Sequence, residues 1–180
     1  AALGVVGFTT PPGATGNSVK TEEYDGTTWS EVNNVSGAGR SGPYLGNMGI
    51  QSSSLLVGGE NPSGILNLVE EYDGTNWTAG TVYPAPAYGG AISGASGTAA
   101  LTSGGVSGGA IINTSNTYNG TSWAANPTIN TTRCYMSGFG TSTASLITGG
   151  ILPPGPNTYY DKVEEYDGTS WSEIADITTA

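Results

Sequence analysis

The sequence predicts an all-β protein built from about four similar units of 46–48 residues, and three observations support this prediction. First, an eight-residue motif recurs four times along the 180 residues. Second, short apolar runs that end in glycine precede the motif copies, and such runs are typical of buried strands. Third, 30 residues are glycine and no apolar pattern of helical period is sustained for three turns. Because each glycine inside a helix costs about 1 kcal/mol relative to alanine, helices are disfavoured.

The motif sets the spacing of the units. Its tyrosine is followed five residues later by a tryptophan, and successive tyrosines are 48, 46 and 48 residues apart. A period in this range is typical of modular arrays, in which each unit buries its apolar face against a neighbour. The four copies are EEYDGTTW from Glu22, EEYDGTNW from Glu70, NTYNGTSW from Asn116 and EEYDGTSW from Glu164.

Each copy of the motif is interpreted as a strand, a tight turn and a second strand. Asp-Gly, or Asn-Gly in the third copy, favours a hairpin turn because glycine and asparagine adopt positive φ cheaply. Upstream lie the apolar runs SLLVGG, ALTSGG and SLITGG, and in the first copy AALGVVGF, where Val6 replaces the first glycine. With the Gly- and Ser-rich segments ahead of these runs, the pattern predicts four strands per unit. Four-stranded units at this period predict a β-propeller of antiparallel blades.

An apolar run that closes on Gly-Gly, followed by a tyrosine and a tryptophan, resembles the kelch repeat. The resemblance covers nearly the whole chain. It implies propeller blades in which the glycine pair ends the second strand and the tyrosine and tryptophan pack between blades. The segment VEEYDGTSW is similar to segments of kelch-like proteins of bacteriophages and marine microbes. The matching positions are Gly7, Tyr24 and Trp29; Gly58, Gly59, Tyr72 and Trp77; Gly104, Gly105, Tyr118 and Trp123; and Gly149, Gly150, Tyr166 and Trp171.

We interpret residues 1–180 as one kelch-like propeller domain with repeats at roughly 1–35, 36–82, 83–128 and 129–180. The first repeat lacks its first strand, so three strands followed by three sets of four are expected. Either the ring has four blades, one of them incomplete, or a larger ring is completed by more chain or by a second copy. The resemblance favours the second interpretation, because kelch rings usually have more than four blades.

The balance of charge limits the partners. Four basic and 14 acidic residues give a formal net charge of −10, so nucleic acid and anionic membrane surfaces would be repelled. Nine of the acids lie in the intact motif copies, and we expect them on a solvated rim. No apolar stretch approaches the roughly 18 residues of a membrane span, and no basic-then-apolar segment predicts a signal peptide. The sequence begins with Ala1 inside a strand-like run, which indicates a processed product or a piece of a longer chain.

The sequence offers little for catalysis. It has no histidine and a single cysteine, Cys134, which excludes an internal disulfide, the usual zinc ligands and any Ser-His or Cys-His pair. The adjacent glutamates of each motif would point to opposite faces of a strand, so they would not converge on one substrate. We therefore predict no enzyme activity, no catalytic residue and no cofactor.

Calcium binding is the alternative role for the acidic turns, because carboxylate and carbonyl oxygens are the ligands that calcium takes. No calcium-binding loop of the D-x-[DN]-x-[DN]-G kind occurs, and the third copy carries Asn116, Thr117 and Asn119 in place of the acids. Turn formation is the favoured interpretation, and no metal site is predicted.

Candidate ligand-binding residues lie at the start of each predicted inner strand. Tyr44, Tyr88 and Tyr135 recur there, near Arg40 and Arg133. Loops at the mouth of a barrel-like scaffold commonly carry binding groups, and packing of the tyrosines is the competing interpretation. Two Pro- and Gly-rich insertions, NPSGILN and LPPGPNTYYD, are expected as exposed loops that differ between repeats.

These observations favour a non-enzymatic structural and adhesive propeller module of an extracellular or virus-particle protein. Its loops would bind other structural proteins or a cell-surface glycan or receptor, and a homo-oligomer is expected where a second copy completes the ring. The alternative is a multivalent carbohydrate-binding lectin with an equivalent sugar pocket in each blade. A kelch-containing copper oxidase is a third hypothesis, but its copper needs histidine ligands and the sequence has none.

Overall fold

The computed structural model describes residues 2–8, 16–37, 39–46, 49–152 and 158–178. All regular secondary structure in these ranges is β-strand, which confirms the all-β prediction. They contain no helix of the length and apolar character that a membrane crossing needs. The insertion LPPGPNTYYD lies partly outside the described residues.

The strands form four successive modules. Module 1 consists of β1 (Ala2–Phe8), β2 (Asn17–Tyr24) and β3 (Trp29–Val32). Module 2 consists of β4 (Leu45–Gly46), β5 (Gly49–Ile50), β6 (Ser53–Val57), β7 (Glu60–Asn61), β8 (Gly64–Ile65), β9 (Val69–Tyr72) and β10 (Trp77–Ala79). Module 3 consists of β11 (Ala91–Ser96), β12 (Ala99–Ser103), β13 (Val106–Ser107), β14 (Ala110–Ile111), β15 (Ser115–Tyr118) and β16 (Trp123–Asn126). Module 4 consists of β17 (Ser137–Gly140), β18 (Ser145–Thr148), β19 (Ile151–Leu152), β20 (Thr158–Tyr159), β21 (Val163–Tyr166) and β22 (Trp171–Glu173). Three linkers, at 33–44, 80–90 and 127–136, join the modules.

Within each module the main strands pair antiparallel. Their order is β1-β2-β3 in module 1, β5-β6-β9-β10 in module 2, β11-β12-β15-β16 in module 3 and β17-β18-β21-β22 in module 4. The short hairpins β7-β8, β13-β14 and β19-β20 form separate two-stranded sheets. The main strands therefore follow the predicted order of three strands and then three sets of four.

The inner strands of modules 2, 3 and 4 meet at a common centre, called here the hub. The short β4 is hydrogen-bonded in parallel to β11 on one side and to β17 on the other, so modules 3 and 4 join into one nine-stranded sheet. Gly46 is the register partner of both Ile92 and Gly138. A Cβ atom on Gly138 would lie 2.4 Å from the carbonyl oxygen of Ile92, so only glycine fits there. The described residues form no closed ring of blades, and ring closure stays a prediction.

The Asp-Gly pair of the motif lies in a four-residue turn between paired strands. The Oδ1 atom of Asp73 accepts hydrogen bonds from the N–H groups of Thr75 and Asn76, at 2.8 and 2.7 Å. Gly74 follows with a φ of 92°, a conformation that glycine adopts without steric penalty. In the third copy, Asn119 accepts the same two bonds. The predicted hairpins therefore form, and the aspartate or asparagine side chain fixes each turn.

The core lies between successive modules. In every motif the tryptophan packs on the tyrosine, with ring centroids 4.7 to 5.1 Å apart. We call the side of a module that carries these rings its leading face, because it contacts the preceding module. The opposite side, its trailing face, carries residues such as Leu55 of module 2 and Leu101 of module 3. Three buried clusters result, one at each contact between modules.

Candidate functional site

Two of the five predicted ligand-binding residues lie at the surface, and we call this pair the tyrosine rim. Tyr135 is 46% exposed and Tyr88 is half-buried, and their ring centroids are 6.3 Å apart. Tyr135 has a φ of 56°, which is uncommon for a residue other than glycine, and its N–H donates to the carbonyl oxygen of Gly89 at 2.6 Å. Burial, followed by the charge of the neighbouring Tyr88, raises the pKa of Tyr135 to about 12.

Tyr44 lies in the core. It is 1% exposed, and its hydroxyl lies 3.1 Å from the carbonyl oxygen of Gly104 and 3.2 Å from the hydroxyl of Tyr83. Burial, followed by the proximity of Tyr83, raises the pKa of Tyr44 well above its ordinary value. The packing interpretation therefore describes Tyr44, whose hydroxyl is already used inside the protein.

Arg40 is also buried, in an ion pair with the first glutamate of the second motif. Its Nη2 atom contacts Oε2 of Glu70, and both side chains are withdrawn from solvent. The other carboxylate oxygen accepts hydrogen bonds from the N–H groups of Ser36 and Gly37 and from the hydroxyl of Ser36, at 2.7 to 2.9 Å. Burial lowers the pKa of Arg40, and the charge of Glu70 opposes this shift. The carboxylate can be buried because it is paired and hydrogen-bonded.

Module 4 repeats this arrangement with Arg133, which lies 3.3 Å from Oε1 of the fully buried Glu164. The N–H groups of Asn130 and Thr131 donate to the carboxylate at 2.6 and 3.1 Å. Nε, Nη1 and Nη2 of Arg133 have no hydrogen-bond partner within the described residues, so its contact with Glu164 is an ion pair without a directed hydrogen bond. The expectation that all motif acids lie on a solvated rim is wrong for Glu70 and Glu164, because the strand turns them toward the linker arginine.

Module 3 replaces the ion pair with neutral groups. Ala87 stands where the other two linkers carry arginine, one residue before an isolated β-bridge, and Asn116 stands where the other motifs carry glutamate. Nδ2 of Asn116 donates to the hydroxyl of Tyr83 at 2.9 Å, and that hydroxyl lies 3.0 Å from Oγ1 of Thr102. Thr102 in turn donates to the carbonyl oxygen of Asn116. Arginine and glutamate are therefore lost together, and a neutral hydrogen-bonded network takes their place.

The second glutamate of the motif connects one module to the next. The hydroxyl of Tyr72 in module 2 donates to Glu23 of module 1, and that of Tyr118 in module 3 donates to Glu71 of module 2. Burial, followed by this hydrogen bond, raises the pKa of both tyrosines to about 12. Most motif residues therefore hold the fold through ion pairs, contacts between modules, turns and aromatic packing. Glu22, Glu165 and Trp29 are the exposed exceptions.

The two outer faces of the array expose residues that interior modules bury. Trp29 of module 1 is 54% exposed, whereas Trp77, at the same motif position in module 2, is 5% exposed. Leu146 of module 4 is 38% exposed, whereas Leu55 and Leu101, which also lie three residues before a glycine pair, are buried. Ile174 and Ile177 are further exposed apolar residues after the last motif.

The acidic turns use their carboxylates on the backbone. N–H groups two and three residues ahead hold the pKa of Asp25, Asp73 and Asp167 below the ordinary value of 3.8. Among the described residues, no group of three or more His, Cys, Asp or Glu side chains is placed to hold a metal ion. Cys134 is buried, and burial raises the pKa of its thiol, so the unreactive protonated form dominates.

The linker arginines form buried ion pairs, a structural role that the sequence analysis did not predict. The signal was present, because the arginines occur in the repeats whose motif begins with glutamate, and Ala87 occurs in the repeat whose motif begins with Asn116. Positions that change together across repeats of one chain indicate contact in the folded protein.

Comparison with known proteins identified no relative of the chain. No family model matches the chain, and no curated protein matches it.

Proposed function

We propose that the chain is a non-enzymatic structural and adhesive module of an extracellular or virus-particle protein. The observation that carries the proposal is that the repeated motif residues form ion pairs, turns and contacts between modules, and so have structural roles. The groups left for partners lie on the tyrosine rim, the loops and the two outer faces. A net charge of −10 disfavours nucleic acid and leaves structural proteins or cell-surface glycans and receptors as partners.

We further infer that the modules are blades of a kelch-like β-propeller. Support comes from the repeat period, the antiparallel modules, the parallel approach of β4, β11 and β17, and the aromatic interfaces. Radial stacking would leave only short, protected strand edges. Small-angle X-ray scattering tests the arrangement. A disc-like particle is expected, whereas an elongated stack of modules would contradict a propeller.

The outer faces support assembly with a second copy of the chain. Every interior interface joins a trailing face to a leading face, so the exposed trailing face of module 4 matches the exposed leading face of module 1. A head-to-tail contact between two copies would cover Leu146 and Trp29 together. This contact would remove two exposed apolar surfaces from water.

Light scattering on the purified chain tests this assembly. The wild-type protein is expected above monomer mass, and Leu146→Asp or Trp29→Ser should return it to monomer. Tyr159→Ser, at a position that is 67% exposed on β20 outside both faces, is the control and should leave the mass unchanged. A wild-type protein that stays monomeric at all concentrations would rule the contact out.

The adhesive role is tested with a glycan array and with binding to whole cells. Retention on a glycan or a cell surface, without turnover of the bound molecule, is the expected result. A measured catalytic turnover, together with no binding partner in either assay, would overturn the proposal.

The lectin alternative needs an equivalent pocket in every blade. Arginine–glutamate pairs occupy corresponding positions of modules 2 and 4, whereas module 3 carries Ala87 and Asn116 there, so these positions do not offer equal sites. Calorimetry that returned several equal sugar sites per chain would favour the lectin instead.

A further inference from the structure

A cavity opens between the second linker and module 3. Its volume is about 340 Å³, at the lower end of the range of about 300–1,000 Å³ that is typical of small-molecule sites. Apolar groups of Pro84, Ala87 and Ile112 form part of its wall, and Asn116 and Thr128 add groups that form hydrogen bonds. Its lining is therefore mainly apolar, with a few polar groups.

The cavity lies where module 3 has lost the ion pair of its neighbours. Ala87 supplies only a methyl group in place of an arginine side chain. Tyr83, which is larger than Val35 and Ile129 at the same position of the other linkers, fills part of the space. Pro84 has no N–H, whereas the residues at its position in the other linkers donate an N–H to the glutamate. The carboxylate-binding arrangement is thus replaced by the hydrogen-bonded network of Tyr83 and Asn116, and the cavity lies beside this network.

The amide of Asn116 is held in one orientation. Its Nδ2 atom donates to Tyr83, which leaves Oδ1 as an acceptor with no hydrogen-bond partner among the described residues. The equivalent carboxylates in modules 2 and 4 accept several hydrogen bonds. A ligand with a hydroxyl group could therefore supply the donor that Asn116 lacks.

The lining selects a neutral ligand. No residue in the described lining carries a charge, so a charged ligand would lose hydration without gaining a counter-ion. Hydroxyl and amide side chains both donate and accept hydrogen bonds, as sugar hydroxyls do, and the apolar wall suits the C–H face of a sugar ring. We propose that this cavity binds one neutral sugar unit of a glycan. The proposal rests on the adhesive role and gives that role a ligand class.

Saturation-transfer NMR tests the site with the methyl glycosides of glucose, galactose, mannose and N-acetylglucosamine as probes. Ala125 is exposed in the cavity wall, so Ala125→Phe should block the opening without burial of the new ring. Ala124→Phe is the matched control, because Ala124 is also exposed and its side chain points to the opposite face of β16. At least one glycoside is expected to bind the wild type and Ala124→Phe, and to bind Ala125→Phe about tenfold more weakly or not at all.

A second variant fills the cavity from inside. Ala87→Arg combined with Asn116→Glu introduces the residue pair of modules 2 and 4, and it is expected to abolish sugar binding. Glucuronate serves as the charged probe and should not bind the wild type. If the double variant does not fold, the comparison of Ala125→Phe with Ala124→Phe decides the question.

Three results would overturn the cavity assignment: no response from any neutral glycoside, equal binding by Ala125→Phe and Ala124→Phe, or binding of glucuronate in preference to neutral sugars. Uncharged dipeptides are run alongside, and a response from them alone would also overturn it. None of these results removes the adhesive role, which fails only if the glycan array and whole cells show no binding.

Discussion

The hydroxyl of Tyr72 lies 2.8 Å from Oε1 of Glu23, so a tyrosine of module 2 is hydrogen-bonded to a glutamate of module 1. Tyr118 makes the same bond to Glu71 at the next interface. In both bonds the phenol must be protonated in order to donate. The contacts between modules are therefore coupled to the ionisation of these tyrosines.

We predict that alkaline pH weakens the interfaces through Tyr72 and Tyr118. The pKa of each is raised from 10.0 to about 12 in the folded protein. A pKa that is higher in the folded state contributes stability that is complete below pH 10 and is lost as the pH rises through about 12. Urea midpoints followed into this range should fall less in the double variant Tyr72→Phe with Tyr118→Phe. The same fall in both proteins would contradict the prediction.

Acid should destabilise the turns through their aspartates. The pKa of Asp25, Asp73 and Asp167 is below 3.8 in the folded protein, so their contribution is present above that pH and is lost as the pH falls through the folded pKa. Replacement of all three by Asn copies Asn119, which makes the same bonds and does not titrate. The triple variant should lose less stability than the wild type as the pH falls below 3.8 and through the folded pKa of the aspartates. Denaturant unfolding at each pH measures the difference, and parallel curves would argue against it.

Removing one member of a buried ion pair should cost more than removing both. Arg133→Met leaves Glu164 buried without a counter-charge and is expected to lower the free energy of unfolding by about 3–5 kcal/mol. The double variant Arg133→Met with Glu164→Gln should recover most of this loss. Lys20→Met, which removes a solvent-exposed pair with Glu31, should leave the free energy of unfolding nearly unchanged, because water and salt screen such a pair. If Arg133→Met proves as mild as Lys20→Met in urea unfolding, the buried pair is not structurally important.

Replacement of a motif tryptophan by alanine should lower the free energy of unfolding by an amount that depends on how deeply the ring is buried. Trp77→Ala removes a ring buried between modules 1 and 2 and should cost about 3–5 kcal/mol. Trp29→Ala removes a ring that is more than half exposed in the isolated chain and should cost about 1 kcal/mol. Unfolding of dilute protein, monitored by circular dichroism, compares the two. Equal losses would mean that Trp29 is already covered.

The parts of the fold that depend on local chemistry could be predicted from the sequence. Asp-Gly turns, glycine-bounded strands and the spacing of the motif rest on neighbouring residues, and these elements form where expected. The pairing of Arg40 with Glu70 joins residues 30 positions apart and depends on the path of a linker. Composition and periodicity carry no information about that path, so on their own they predict surface acids and binding-site arginines, whereas Glu70 and Arg40 are buried together.

The predicted set of inner-strand tyrosines illustrates the same limit. Tyr44 directly precedes β4, but Gly90 and Met136 hold that position before β11 and β17. Tyr135 lies one residue earlier in register, and Tyr88 two residues earlier. Tyr135 also has a φ of 56°, so the chain is not extended there, and its ring lies toward solvent whereas that of Tyr44 lies in the core. The path of each linker, and not the presence of a tyrosine, therefore decides which ring a ligand could reach.

Gly138 meets the main chain of Ile92 with no room for a side chain between them. The distance between β11 and β17 is therefore set at this point by main chain against main chain, with the hydroxyl of Ser93 beside it. Substitutions in the outer loops would change the groups presented to a partner and leave this backbone contact unchanged. A methyl group added at Gly138 would instead push β17 away from β11 and disturb modules 3 and 4 together.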